Sequence, residues 1–218
     1  MKKIVIIGAR KDGHAKVVLE IILAEKKYKV VGFIDDDLYN KNIKIRNIPV
    51  VGRTEQLHEL KKKYRLYGGI AAIGNNSIRR NLAEKIKTTG LNLINAIHPT
   101  VHIDSDVIYG EGNYFGQGVI IITGTKIGNC VNIHTGATID HDNTIEDGAN
   151  IGPGSHTAGR VKICRDAFIG TGTSVIPDII IGEGTIVGAG SVIIRNIAPF
   201  TKVVGNPARI IGKSKKRF

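Results

Sequence analysis

His141 is followed directly by Asp142 in the run Ile-Asp-His-Asp-Asn at 139–143. An imidazole titrates near neutral pH, which suits it to take a proton from an attacking amine or hydroxyl. A carboxylate beside it orients the ring and raises its basicity by favouring the charged form. Consecutive residues of a straight strand point to opposite faces, so the two side chains cooperate only if the chain turns a corner there. A surface histidine at such a corner, with no chemistry, is the structural alternative.

A second constellation lies near the start. Gly8-Ala9 follows an apolar run and Gly13-His14 opens an amphipathic one. A strand, a glycine-containing turn and a helix N-terminus make a phosphate site, because the first amides of a helix lack partners within it. The spacing Gly-x-x-x-x-Gly is not the dinucleotide fingerprint, so a redox cofactor is unsupported. Arg10-Lys11-Asp12 fills that turn and adds positive charge beside a diphosphate. Asp35 and Asp36 end the second apolar run, where they are placed to accept hydrogen bonds from ribose hydroxyls or a base N–H. Exposed turn acids and a helix-start glycine are the structural alternatives for these residues.

Two kinds of architecture must position these groups within 218 residues. Residues 1–96 alternate short apolar runs with amphipathic stretches. Strands are predicted at 3–7, 30–34, 69–73 and 91–96, and helices at 13–27, 53–64 and 77–89, the first with Val17, Val18, Ile21 and Ile22 as its apolar stripe. Alternating strands and helices imply parallel pairing with right-handed crossovers, hence an α/β, Rossmann-like domain. This part carries 20 Lys plus Arg against 9 acids, whereas 97–218 carry 11 against 10. The basic excess favours an anionic partner. No recognition helix or basic run interleaved with aromatics appears, so a small phosphorylated ligand fits and nucleic acid is not expected.

From Ile97 to Ile193, every sixth residue is Ile or Val at 14 of 17 positions, with Tyr109, Phe115 and Thr157 as the others. Four residues after each, 13 of 17 positions hold Ala, Ser, Thr or Val; Asn113, Asn143, Ile179 and Ile197 break the rule. A helix needs period 3.6 and a flat sheet period 2, so a strict six fits neither and instead fits an all-β domain, a parallel β-helix over 97–198. Three hexads per coil stack residues 18 apart, giving a prism roughly 27 Å long. Its hand does not follow from the arithmetic. Gly159 then lies one coil above His141, where a glycine lets a ligand approach the backbone; a mere corner glycine is the alternative. Residues 199–218 form a C-terminal extension with a basic tail.

Motifs spread over nearly the whole chain resemble one family. They are Gly-His-Ala-Lys-Val-Val at 13–18, Gly-Phe-Ile-Asp-Asp at 32–36, Ile-Pro-Val-Val-Gly at 48–52, Ala-Ile-Gly-Asn-Asn at 72–76, Ile-His-Pro at 97–99, Thr-Gly-Ala-Thr-Ile-Asp-His-Asp at 135–142 and Val-Val-Gly-Asn-Pro-Ala at 203–208. Their order is similar to that of the hexapeptide-repeat sugar acyltransferases, which include sialic acid O-acetyltransferases and N-acetyltransferases of UDP-bacillosamine and GDP-perosamine type. The resemblance implies a left-handed β-helix, a homotrimer, and acetyl-CoA bound between neighbouring subunits. It implies His141 as base with Asp142 as its support, Ala158-Gly159 at the thioester with the Gly159 N–H toward the developing oxyanion, Asn150, Thr171 and Ala189 along the coenzyme groove, and His134 near the acetyl group or acceptor. It assigns the first domain to nucleotide-sugar binding through Gly8, Asp12, Gly13, His14, Asp35, Asp36 and Gly74.

The expected activity is therefore transfer of acetyl from acetyl-CoA to the amino group of a nucleotide-linked amino sugar by direct attack. Cys130 and Cys164 lie outside the motifs, which disfavours a covalent acyl-enzyme; being only two, they make neither a disulfide scaffold nor a four-ligand zinc site. Together with the absence of a signal or membrane span, they suggest a cytoplasmic protein. Other readings are sugar O-acetylation, a non-catalytic nucleotide-binding trimer, and a γ-carbonic-anhydrase-like metalloenzyme. The last has His98 and His134 at a 36-residue spacing but Ile139 where a third ligand belongs, so no metal is expected.

Overall fold

The computed structural model describes residues 1–9, 13–37, 39 and 42–214. They divide into two compact units, Met1–Pro99 and Thr100–Phe218. Among the described residues no helix is long and apolar enough to cross a membrane.

In the first unit, the run Ile4-Val5-Ile6-Ile7 is buried throughout. Continuous rather than alternating apolarity marks a strand covered on both faces, and this one, β1 (Lys2–Ile7), is central. It is flanked by β2 (Tyr28–Ile34) and β5 (Gly68–Ala71); outside these lie a short antiparallel pair, β3 (Lys44–Ile45) and β4 (Ile48–Gly52), and β6 (Asn92–Leu93). The order is β3-β4-β2-β1-β5-β6, parallel except for β3 against β4. The helices are α1 (His14–Glu25), α2 (Leu57–Tyr64, after a 3-10 turn at Thr54–Gln56) and α3 (Asn76–Thr88). Chain direction across the sheet reverses between β2 and β5 around β1, and the crevice beyond the carboxyl ends of such strands is where α/β sheets bind ligands.

The sequence reading differs in several details, among them the strand predicted at 91–96, which is Asn92–Leu93 with Ala96 opening the separate strand Ala96–Ile97. The buried stripe of α1 is Ala15, Val18, Leu19, Ile21 and Ile22, with Val17 facing out. The motif Ile-Pro-Val-Val-Gly forms β4, which the apolar pattern alone did not single out because Pro49 interrupts it.

In the second unit, two-residue strands stack with partners 18 residues apart, as in Ile121 on Ile139, Ile133 on Ile151 and Ile145 on Ile163. Three parallel sheets result, one per face of a triangular prism. The inward sixth residues from Ile121 to Ile193 are all buried, as are the second inward positions from Val119 to Ser191. The chain turns each corner through a residue of positive φ; Gly112, Gly118 and Gly124 begin that column, and Asp142 belongs to it. After Val192–Ile193, the extension adds Thr201–Val204 in parallel to Ile186–Val187 and returns as Arg209–Lys213 in a hairpin. Residues 215–218 of the basic tail lie outside the described residues.

Thr157 is the one polar residue in the column Ile139, Thr157, Val175. Its hydroxyl is buried without a hydrogen-bond partner. Removing an unsatisfied buried hydroxyl recovers its desolvation cost, so Thr157→Val is expected to stabilise the protein by about 1 kcal/mol. A denaturation midpoint lower than that of the parent would contradict this.

Candidate active site

His141 and Asp142 form the corner between strands Thr138–Ile139 and Thr144–Ile145. Asp142 has φ 58°, a left-handed turn that swings its carboxylate back onto the preceding residue, so that His141 Nδ1 lies 2.8 Å from Asp142 Oδ2. A carboxylate only accepts, hence Nδ1 carries the hydrogen and the neutral ring presents its lone pair at Nε2. The imidazole is 42% exposed, at the surface of the corner.

The coils above and below shape this corner. A Cβ at Gly124 would fall on the Asp142 carboxylate, and one at Gly159 would fall on the His141 ring. Glycine at 159 thus makes room for the imidazole itself, which covers it. Asn143, one of the exceptions to the small-residue rule, is buried, and its Nδ2 donates to the carbonyls of Asp140 (2.7 Å), His141 (3.2 Å) and Ala158 (2.9 Å). It ties the backbone on both sides of the base into one rigid turn. The break in the pattern immediately after His-Asp was the available signal for it. Asp140 Oδ1 also accepts from His141 N at 2.7 Å.

The other candidates in this unit lie elsewhere on the prism. His134 Nε2 is 3.1 Å from Asn150 Oδ1, and its ring centroid is 5.2 Å from that of Tyr114. Asn150 is 3% exposed, so its carboxamide supports His134 from within. Thr171 and Ala189 are exposed and stack at one corner, directly above Gly152 and Gly170, where a Cβ would meet their amide nitrogens. That corner follows strands Phe168–Ile169 and Ile186–Val187, one corner removed from the one that carries His141. The three-histidine zinc arrangement has no third ligand, since Ile139 is interior, and among the described residues no group of three or more His, Cys, Asp and Glu is arranged to hold a metal ion.

In the first unit, the sheet crevice brings several candidates together. Gly8 has φ 103°, and a Cβ there would meet the Ile73 side chain at 2.9 Å and the Ala72 carbonyl at 3.0 Å. Both reasons demand glycine. Asp35 is 8% exposed; its Oδ2 accepts from Ala9 N at 2.7 Å and its Oδ1 from Asp37 N at 3.0 Å. The carboxylate therefore braces the turn after β1. Asp36 is exposed but accepts from Thr54 N at 2.7 Å and from Thr54 Oγ1 at 2.8 Å, joining the ends of β2 and β4. Gly13 begins α1 with φ 108° and no side-chain cap, leaving the helix start to its backbone amides. Gly74 is exposed and crowded by nothing. Asp12 and the rest of the Arg10-Lys11-Asp12 stretch lie outside the described residues. Sequence reading missed Arg79, fully buried, which donates to the Ile73 carbonyl at 3.0 Å and Asn76 Oδ1 at 3.1 Å and so holds the turn after β5.

Residues 3–86 match the PglD N-terminal domain, and residues 160–195 match the bacterial transferase hexapeptide (six repeats). GDP-perosamine N-acetyltransferase of Escherichia coli O157:H7 is 30% identical over 188 residues, 84% of this chain and 82% of that protein. The chain belongs to the hexapeptide-repeat sugar acyltransferase family. UDP-N-acetylbacillosamine N-acetyltransferase of Bacillus subtilis is 36% identical over 112 residues, 51% of this chain and 50% of that enzyme, so the matched segment spans about half the length of that relative. PerB from Caulobacter crescentus, solved in complex with CoA and GDP-perosamine, is 38% identical with TM-score 0.90, covering 97% of this chain and 98% of that one. Membership of the hexapeptide-repeat sugar acyltransferases also gives the prism its hand, a left-handed β-helix as the motifs implied.

Proposed function

We propose that this chain transfers acetyl from acetyl-CoA to the amino group of a nucleotide-linked amino sugar, with His141 as general base. The observation that carries this reading is the His141 Nδ1 to Asp142 Oδ2 contact of 2.8 Å on an accessible corner, which leaves Nε2 as acceptor. The relatives named above act on, or hold, sugars of this chemistry. The neutral amine attacks the thioester carbonyl, and Nε2 removes the proton that the nitrogen can no longer keep as the tetrahedral intermediate forms. Collapse of the intermediate breaks the carbon–sulfur bond, and the departing thiolate regains the proton from the imidazolium. Asp142 stabilises that imidazolium, and the Gly159 N–H is the backbone donor assigned to the oxyanion.

Because His141 and the pair Thr171 and Ala189 occupy different corners of one prism, a groove that uses all three joins two protomers. A homotrimer satisfies this, each corner facing a neighbour. Sedimentation is expected to give three times the 23.5 kDa chain mass. A cytoplasmic reaction, where acetyl-CoA would be at hand, is part of this reading.

Gly8, Gly13, His14, Asp35, Asp36 and Gly74 are assigned to the nucleotide end, where a glycine turn after β1 followed by the N-terminus of α1 suits a diphosphate. Asp35→Ala removes the carboxylate that braces the turn after β1 through Ala9 N and is expected to raise KM for the nucleotide sugar about tenfold while leaving KM for acetyl-CoA unchanged. The activity itself is tested by thiol release against UDP-, GDP-, CMP- and TDP-linked amino sugars. Release with at least one of them and not with its hydroxyl counterpart is expected; binding of the amino sugars without thiol release would refute the assignment.

A further inference from the structure

The left-handed corner column is mostly glycine, because any other residue bears a conformational cost there. Above Gly124 at the His141 corner, however, three successive coils hold Asp142, Arg160 and Asp178, with φ 58°, 58° and 64°. Their backbones are stitched level to level: Arg160 N donates to His141 O at 2.9 Å and Asp178 N to Gly159 O at 3.2 Å. Arg160 binds Asp178 in a two-pronged pair, Nε to Oδ1 at 2.6 Å and Nη2 to Oδ2 at 2.9 Å. We propose that Arg160 and Asp178 are positioning residues that set the ionisation of the His141–Asp142 pair, a role that rests on His141 being the base.

The charges around the ring give the sign. Asp140 and Asp142 flank it on its own corner, Asp104 and Asp106 bind the backbone of the corner below at Thr123 and Gly124, and Asp178 stands two coils above. On the adjoining faces, His156 contacts Thr138 and Lys162 is held by Glu146 at 2.9 Å. Arg160 is the cation set into this group of carboxylates. Its hydrogen bonds, and then its charge, hold the Asp178 carboxyl below the usual carboxylate range, with the nearby His141 adding to the effect. Asp178 in turn holds the guanidinium charged, with a smaller contribution from Asp142. Removing the positive charge leaves the imidazole among carboxylates alone and favours its protonated form, so the base is lost at a higher pH. Removing the negative charge of Asp178 leaves Arg160 uncompensated and disfavours the imidazolium, so the base survives to a lower pH.

The test is an NMR titration of the His141 ring in the full-length protein, its resonance identified by its loss in His141→Ala, alongside the pH dependence of kcat/KM. Arg160→Gln is expected to move the ring's midpoint upward and Asp178→Asn to move it downward, each changing kcat/KM about threefold on the acid limb, in opposite senses. Arg160→Lys keeps the charge while losing the two-pronged fork, and is expected to titrate like the parent. Midpoints that stay in place, or move in the same direction in both variants, would overturn the proposal, since a merely structural pair alters the ring alike in both. Opposed midpoints with a stationary acid limb would uphold the pair's effect on the ring and refute His141 as the base.

Discussion

Replacement of His141 by alanine is expected to lower kcat by roughly 10² to 10⁴-fold, the range a positioned general base contributes. The same factor is expected in kcat/KM, because the base acts on the nucleophile's proton only as the transition state forms. The substitution should leave the fold intact. The ring lies at a surface corner, bound through Nδ1 to Asp142, and the coil beneath is held by Asn143 and by the inward Ile139 and Ile145, which the substitution does not touch. Changes at such positions are usually within about 0.5 kcal/mol. Steady-state kinetics with a thermal denaturation control separates the two effects. Turnover within a few-fold of the parent would remove His141 from the mechanism.

Gly159→Ala is expected to lose activity about 100-fold, since displacing a catalytic group by about 1 Å can cost that much. The backbone at 159 is not in the left-handed region, so alanine is conformationally acceptable there. The new methyl nevertheless falls on the His141 imidazole, from which the ring must swing away. The loss should appear in kcat, with acetyl-CoA still bound and the melting temperature close to that of the parent. If Gly159→Ala turns over normally, the seat assigned to the ring is wrong.

Much of this arrangement can be read in the residues, and the reason is geometric. A β-helix repeats its inward positions at a fixed interval, so Ile121, Ile139 and the rest announce the coils, and the interval places Gly159 over His141. The corner that His141 and Asp142 require follows from the same phase. Outward residues obey no such rule. The bond between Arg160 and Asp178 joins side chains 18 apart on the surface, and an inward period says nothing of it, although alternating charge at 142, 160 and 178 is a signal that could be sought. Asn143 reads as a flaw in the small-residue column because the bond that joins it to the next coil, to the Ala158 carbonyl, is tertiary. In the first unit, Asp35 and Asp36 read as groups placed for a ligand. They also accept from Ala9 and Thr54, partners 26 and 18 residues away that no local pattern shows. Arg79 was hidden by its helix, where a basic residue ordinarily reads as exposed surface, yet its burial lets it hold the turn after β5.

The central claim is that one imidazole nitrogen receives the acceptor's proton. It is tested most directly by a crystal structure of the protein with coenzyme A and a nucleotide-linked amino sugar, in which the distance from His141 Nε2 to the sugar amine is measured. A separation of about 2.6–3.2 Å, direct or through one water, is the required result. An amine seated beyond such a bridge, with another side chain in contact with it, would contradict the account.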